Sequence, residues 1–423
     1  MGPPGVIELP ATDGIEVVPD ERRTLGLLDQ GTLWANMGVS LVGVVTAAGL
    51  IPALGFREAA AMIVVGAFLG AVLLGLSARM GAETGRPGMA ILRRSLGDRG
   101  AAVPSVLNVV QLVGWSAVET WTVAYTAHAL VGHGPALPYY LAAGAAGIAL
   151  AIIGPLGVVR RVLRRVMTPL LLVSLAYLLV RLGARAHTGS SGVGGLSRLA
   201  ALDLVIAYNA SWLPLAPDYT RYTRRPRDAA LGAGVGYLLG TLLVFAVGLL
   251  AAAAGSVDPA YPLASVTPLA LGTLAAWILV ADESEKTFAN VYSAAVSAQN
   301  LLPRLSQRVA IVAVGGIATA IAYQLDVPSL FQFLFLLGAF FLPLFGAVLA
   351  DRLLAADPAA TLAGWAVGFL LYEWIQPTSI DALQRLVPAP LGGGSLGASL
   401  PAFGAAFAVR LAVGLARRQR RGI

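Results

Sequence analysis

Apolar residues run without alternation for about twenty positions at a time, and the runs are broken by arginines or by Gly- and Pro-bearing stretches. A lipid-facing barrel strand alternates apolar and polar residues, whereas a membrane-spanning helix needs about 20 apolar residues in succession. Twelve such runs are found, at 31–52, 58–80, 102–130, 138–159, 166–183, 199–217, 229–254, 266–299, 307–325, 328–350, 359–377 and 397–416. They predict an all-α polytopic membrane protein with twelve spans. Residues 186–198, with Gly189, Ser190, Ser191, Gly192, Gly194 and Gly195, are the most linker-like stretch between spans. Five spans precede this linker, and the next restarts from the opposite side, as a five-plus-five inverted repeat requires. The first run of each half is interrupted in mid-course, by Trp34 to Ser40 and by Asn209 to Pro217. Irregular backbone at membrane depth is tolerated where it lines a cavity or is buried in protein; two ordinary kinks are the competing reading. The expected organisation is a disordered tail at 1–27, repeats at 28–185 and 199–350 joined by the linker, then helices eleven and twelve with a basic tail at 351–423.

Composition agrees: 57% of the 423 residues are hydrophobic and 12% charged, about half the charge of a soluble domain, and mean hydropathy is +0.77. Cysteine is absent, which excludes disulfides, thiolate metal sites and a cysteine nucleophile. The net charge of +7 raises nucleic-acid binding, and the placement of the charges argues against it. Of 28 arginines, 23 fall on the tails and loops of one side and 5 on the other. By the positive-inside rule, both termini are then cytoplasmic. The glycines Gly232, Gly236 and Gly240 read as a small-residue packing face.

Ionisable groups in mid-span are functional candidates, and two runs carry them. In the third, Trp115 and Glu119 are four residues apart and share a helix face: a flat indole beside a hydrogen-bond acceptor suits a planar heterocycle with N–H donors. A structural, paired carboxylate is the alternative. In the eighth, Asp282, Lys286 and Asn290 form one stripe, continued by Ser293 and Ser297, with Glu285 one position round the wheel. Lys286 is the chain's only lysine. Such a cluster binds a cation or relays a proton, or is a purely structural ion pair. The flanking pieces are too short to span separately, so one long helix is expected. His128, His133 and His187 lie near the outer face without metal-ligand spacing, so no enzyme and no metal are expected.

Three segments resemble the nucleobase:cation symporter-1 family, the cytosine, purine and hydantoin permeases. They are Gly81–Gly85 continuing through Leu92–Gly100 into Gly114–Trp115, then Asp218–Tyr222, and Phe288–Ser293. The resemblance implies a LeuT-type fold of two inverted five-helix repeats plus two C-terminal helices, working by alternating access. It implies a ring held between Trp115 and Trp212, with Glu119 reading its edge and contacts from Ser40, Ser211 and Asn290. In sodium-coupled members the cation is held by helix-one carbonyls and two helix-eight hydroxyls, positions that align with Asn36, Val39, Ser284 and Glu285. One hydroxyl has become a carboxylate, followed by Lys286 and preceded by Asp282. This departure favours proton over sodium coupling, with no other cofactor.

Glu119 in place of the family's frequent Gln favours rings bearing an amine, cytosine-like or hydroxymethylpyrimidine-like; the helix-one serine and helix-eight pattern also resemble the thiamine-precursor branch. The expected function is import of such a base across the cytoplasmic membrane, with the lipid bilayer and the small molecule as partners and no nucleic acid or obligatory protein partner. An amino-acid or amine permease of the same fold and a non-transporting receptor are the alternatives.

Overall fold

The computed structural model describes the backbone of residues 17–420 apart from 154–156, 190, 256–257, 259, 266, 269, 302–304, 379–380, 389–390 and 392–395. Side chains are described over the same residues apart from 153, 157–166, 168, 265, 285, 289, 296–301, 381 and 420. Among the described residues there are helices, turns and a single isolated bridge, Leu25 to Thr223.

The helices are α1 (Leu27–Gly38), α2 (Leu41–Ala48), α3 (Phe56–Thr84), α4 (Gly88–Val131), α5 (Leu137–Ile153), α6 (Gly157–Gly183), α7 (Arg198–Ala210), α8 (Ala216–Thr220), α9 (Pro226–Ala253), α10 (Gly272–Leu301), α11 (Gln307–Ala322), α12 (Val327–Arg352), α13 (Pro358–Ile375), α14 (Asp381–Gln384) and α15 (Ser399–Arg420). Helices α3, α4, α9, α12 and α15 are each long and apolar enough to cross a membrane, and the pair α1–α2, bent by 54°, makes a sixth such span. The other expected spans fall on α5, α11 and the apolar second half of α6 (169–183), on the charge-bearing α10, the broken α7–α8, and α13.

Both expected interruptions are breaks in the helix. Helix one stops at Gly38 and restarts at Leu41; helix six stops at Ala210 and resumes as the short α8. Run eight is one continuous helix through its charges. Run three begins earlier than the expected 102, at Gly88, because Gly97 takes a left-handed conformation (φ 70°) that kinks α4 and leaves a polar first segment ahead of the apolar one.

Packing sorts the helices into groups. Helices α1, α2, α3, α7, α8 and α9 pack together; α4, α5, α10 and α11 pack together, with α6 bridging to both α10 and α9. Under the inverted repeat each group contains matching pairs, helix one with six and two with seven, or three with eight and four with nine. Helices α12, α13 and α15 form a third group, with α12 laid against α7. The first group is drawn tight by the glycine face of α9. A Cβ at Gly240 would lie 3.1 Å from the carbonyl carbon of Ala35, and one at Gly236 would lie 3.1 Å from the Ala35 nitrogen. The third group is pinned at the start and the middle of α15. Asp203 of α7 accepts from Ala398 N and from Ser399 N (3.0 Å) at its start. At its middle the fully buried Arg410 binds Asp351 of α12 at 2.6 Å, and Ser95 of α4 donates to the same carboxylate at 2.9 Å. At the α11–α12 turn Asp326 caps α12, and the hydroxyl and amide of Ser329 hold its carboxyl below the usual carboxylate range.

One expectation is corrected. Residues 17–26, read from the sequence as part of a disordered tail, are placed. Val18 is fully buried and its N–H donates to Gly85 O at 2.9 Å; Arg23 donates to Val18 O at 3.0 Å and Ala82 O at 3.2 Å; Leu25 N donates to Tyr222 O at 3.0 Å. A run without apolar periodicity becomes ordered here because the ends of α3 and α8 offer backbone partners. Residues 1–16 lie outside the described residues. The linker is likewise docked, Val193 N and Gly194 N donating to Pro52 O and Ala53 O at 3.0 Å.

Candidate functional site at the two helix breaks

Ending a helix in mid-membrane leaves backbone groups without partners, and the chain supplies them from polar side chains on other helices. At the helix-one break Ser40 is the N-cap of α2, its Oγ accepting from Val42 N at 3.2 Å. The Ser40 hydroxyl donates to Glu283 Oε1 at 2.8 Å and Leu41 N donates to Glu283 Oε2 at 2.7 Å. A carboxylate from α10 thus sits on the positive end of a half-helix. At the helix-six break Ser211 donates to Tyr208 O at 2.8 Å, and Gln111 of α4 donates to Ser211 O at 3.3 Å.

Between the breaks lies a pocket walled by α1–α2, α4, α7–α8 and α10. Six residues expected to contact substrate line it: Ser40, Trp115, Glu119, Ser211, Trp212 and Asn290. Lys286 lines it as well. The space within it open to water-sized molecules is about 20 Å³, room for one or two waters, so a flat ring enters only when the walls part. Trp115 packs edge-on to Tyr208 (6.1 Å) and Phe333 (5.5 Å). Trp212 packs edge-on to Trp34 (5.7 Å) and Tyr237 (6.4 Å). Trp34 is fixed in turn by its Nε1–H donating to Gln30 at 3.0 Å, and Gln30 donates to Thr223 at 2.9 Å.

The polar wall is more tightly paired than the sequence indicates. Asn290 Nδ2 donates to both oxygens of Glu119, at 2.8 and 2.9 Å, with both residues buried. This joins α4 to α10, the equivalent helices of the two repeats. Asp282 forms an ion pair with Lys286 Nζ, and Glu283 Oε2 lies 3.7 Å from the same ammonium. Asp282 does not itself line the pocket.

The residues aligned with a sodium site are placed differently from the substrate set. Val39 N donates to Asn36 O at 3.2 Å across the end of α1, and the Ser284 hydroxyl donates within its own helix to Val280 O at 2.9 Å. None of Asn36, Val39 and Ser284 lines the pocket. The side chain of Glu285 lies outside the described residues, as does that of Ser297. Among the described residues no three His, Asp or Glu side chains are grouped to hold a metal ion.

Sequence reasoning missed Glu283, Met37, Tyr208 and Leu215. Glu283 carries a signal: it stands seven residues before Asn290, hence on the same helix face. Met37 and Leu215 flank the two breaks and are ordinary apolar residues without the structure.

A family described as permeases for cytosine/purines, uracil, thiamine and allantoin matches residues 17–358. Among curated proteins, the purine-cytosine permease of Saccharomyces cerevisiae is 28% identical over 112 residues, 26% of this chain and 21% of that protein. The purine-uracil permease of Arabidopsis thaliana is 28% identical over 110 residues, 26% of this chain and 18% of that protein. The matched stretch thus spans about a fifth of the length of these relatives. Among solved structures, inward-facing Mhp1 superposes with a TM-score of 0.73 at 14% identity, covering 96% of this chain and 93% of the other. A closed form of Mhp1, a nucleobase-cation-symport-1 family transporter with bromovinylhydantoin bound, gives 0.71 at 16% identity, covering 95% and 94%. At those identities the likeness speaks for the fold, and the 342 residues matched by the family speak for membership. The chain belongs to the nucleobase:cation symporter-1 family of cytosine, purine, uracil, thiamine and allantoin permeases, and is an all-α multi-pass membrane protein with the LeuT-type fold.

Proposed function

We propose that this transporter imports an amino-bearing pyrimidine or related nucleobase, cytosine-like or hydroxymethylpyrimidine-like, across the cytoplasmic membrane in symport with a proton, both termini being cytoplasmic. The observation that carries the substrate class is the acceptor character of the pocket edge. Both oxygens of Glu119 take one hydrogen bond each from Asn290. A carboxylate has about four lone-pair sites, so two acceptor positions stay open to ring N–H and amine groups. Trp115 and Trp212 on the same pocket supply flat apolar faces for the ring.

Coupling to a proton rather than sodium is favoured by the ammonium of Lys286, which stands among Asp282 and Glu283 beside the helix-one break. The ammonium engages the carboxylates that a metal cation would otherwise take. The arginine bias supports the orientation.

The test is uptake of radiolabelled cytosine into proteoliposomes, competed with unlabelled pyrimidines, purines, hydantoins and amino acids. Uptake is expected to persist without sodium and to collapse when a protonophore is added. Uptake that needs sodium at fixed pH and ignores the protonophore overturns the coupling; competition by amino acids alone overturns the substrate class.

A further inference from the structure

Ring entry requires the walls of the pocket to part, and the walls belong to two packed groups. Met37, Ser40, Ser211, Trp212 and Leu215 come from the α1–α2 and α7–α8 side; Glu119, Lys286 and Asn290 come from the α4 and α10 side. Helix α2 touches α4 and α10 only sparsely. Across that gap runs one charged connection among the hydrogen bonds seen at the site, Glu283 of α10 accepting from the Ser40 hydroxyl and the Leu41 amide. Glu283 is fully buried and does not line the pocket. Its carboxylate faces Lys286 and Asp282 on its own helix, Ser40 and Leu41 on the facing half-helix, and, electrostatically, Glu119 on α4 and Tyr208 on α7.

We infer that Glu283 is the latch between the two groups: its two hydrogen bonds to the start of α2 hold the pocket closed, and their release is the step that opens it. The inference rests on the transport reading above only for what enters; the latch itself is a property of the apposed helices. Glu283 is therefore a positioning residue. It ties down Ser40, which does line the pocket, and it governs when the pocket opens more than how tightly substrate is held there. Each bond is from a neutral donor to a charged acceptor. Losing one such bond shifts a two-state equilibrium by about ten- to a hundredfold.

The chain has no cysteine, so one introduced thiol reports opening without background. Met37→Cys places it on the pocket wall, and Ala406→Cys, in the fully buried core of α15, serves as the control. Labelling by a small polar thiosulfonate is measured in full-length protein in proteoliposomes, normalised to the unfolded chain. Glu283→Gln is expected to raise labelling at position 37 at least tenfold, leave position 406 unlabelled, and lower kcat of cytosine uptake with KM within threefold. Glu283→Asp, one methylene shorter, is expected to fall between parent and Gln. Labelling at 37 within threefold of the parent overturns the inference, as does an equal rise at 406. If Glu283→Gln does not fold, Ser40→Ala removes one of the two bonds, and the same threshold decides. Because labelling needs no substrate, failure of cytosine as substrate leaves this readout intact.

Discussion

Substituting Glu119 with Gln is the sharpest probe of how the pocket reads a ring edge. In the native arrangement Asn290 Nδ2 reaches both Glu119 oxygens at 2.8 and 2.9 Å, so both oxygens act as acceptors, and Glu119 lines the pocket. A Gln at 119 keeps one oxygen and presents an NH₂ where the second was. Facing the NH₂ of Asn290, that group meets donor with donor, so Gln turns its oxygen to Asn290 and its NH₂ toward the pocket. The edge then donates. An amine on the ring loses a charge-assisted bond, about 1.5–3 kcal/mol, and a ring carbonyl gains a partner. The preference for cytosine over uracil, taken as the ratio of inhibition constants against labelled cytosine, is expected to fall about ten- to a hundredfold. Both residues are buried, so water does not absorb the mismatch. A ratio within threefold of the parent refutes the edge-reading role of Glu119, whatever happens to absolute uptake.

Trp115→Ala is expected to weaken binding about five- to hundredfold, the worth of one base–aromatic stack, and Trp115→Phe to recover most of it; equal binding by all three rules out stacking on this face. Arg410→Met strands Asp351, both being fully buried, and is expected to cost about 3–5 kcal/mol, read as a lowered Tm of the detergent-solubilised protein by tryptophan fluorescence. Replacing Asp351 with Leu as well is expected to restore part of the loss, and a single substitution costing under about 1 kcal/mol contradicts the burial argument. Gly240→Val forces a branched side chain against the backbone of Ala35 and is expected to abolish folded protein, judged by monodisperse elution in detergent; a normal yield contradicts the close approach of α9 to α1.

What the sequence made legible is what a single helix decides for itself. The breaks at Ser40 and at Ser211 are written in local Gly, Pro and polar residues, and both occur where those residues stand. The continuity of α10 through its charges follows from length, because neither flanking piece spans alone. Trp115 and Glu119 share a face by helical spacing, and both reach the pocket. The rest depends on which helix lies opposite. Asp282 and Lys286 meet by the i, i+4 rule within α10, which drew attention to Asp282 and left Glu283 unremarked, although Glu283 is the carboxylate that crosses to another helix, 243 residues away from Ser40 in the chain. Arg410 shows the same limit. In the sequence it is one arginine among those that mark orientation; in the fold it is fully buried, bound to Asp351, Thr361 and the Ala355 carbonyl. A charge count sees both as charges, and only the partner's position tells an anchor from a topology signal. Buried charges are costly unless paired, so every such residue in mid-span implies a partner on a helix the local pattern does not name. For Glu283 that partner is the start of a broken helix, whose backbone N–H groups are free only because the helix is broken. The break and the acid are thus two halves of one feature, and the polar interruption at Trp34 to Ser40 already demanded an acceptor from elsewhere in the chain.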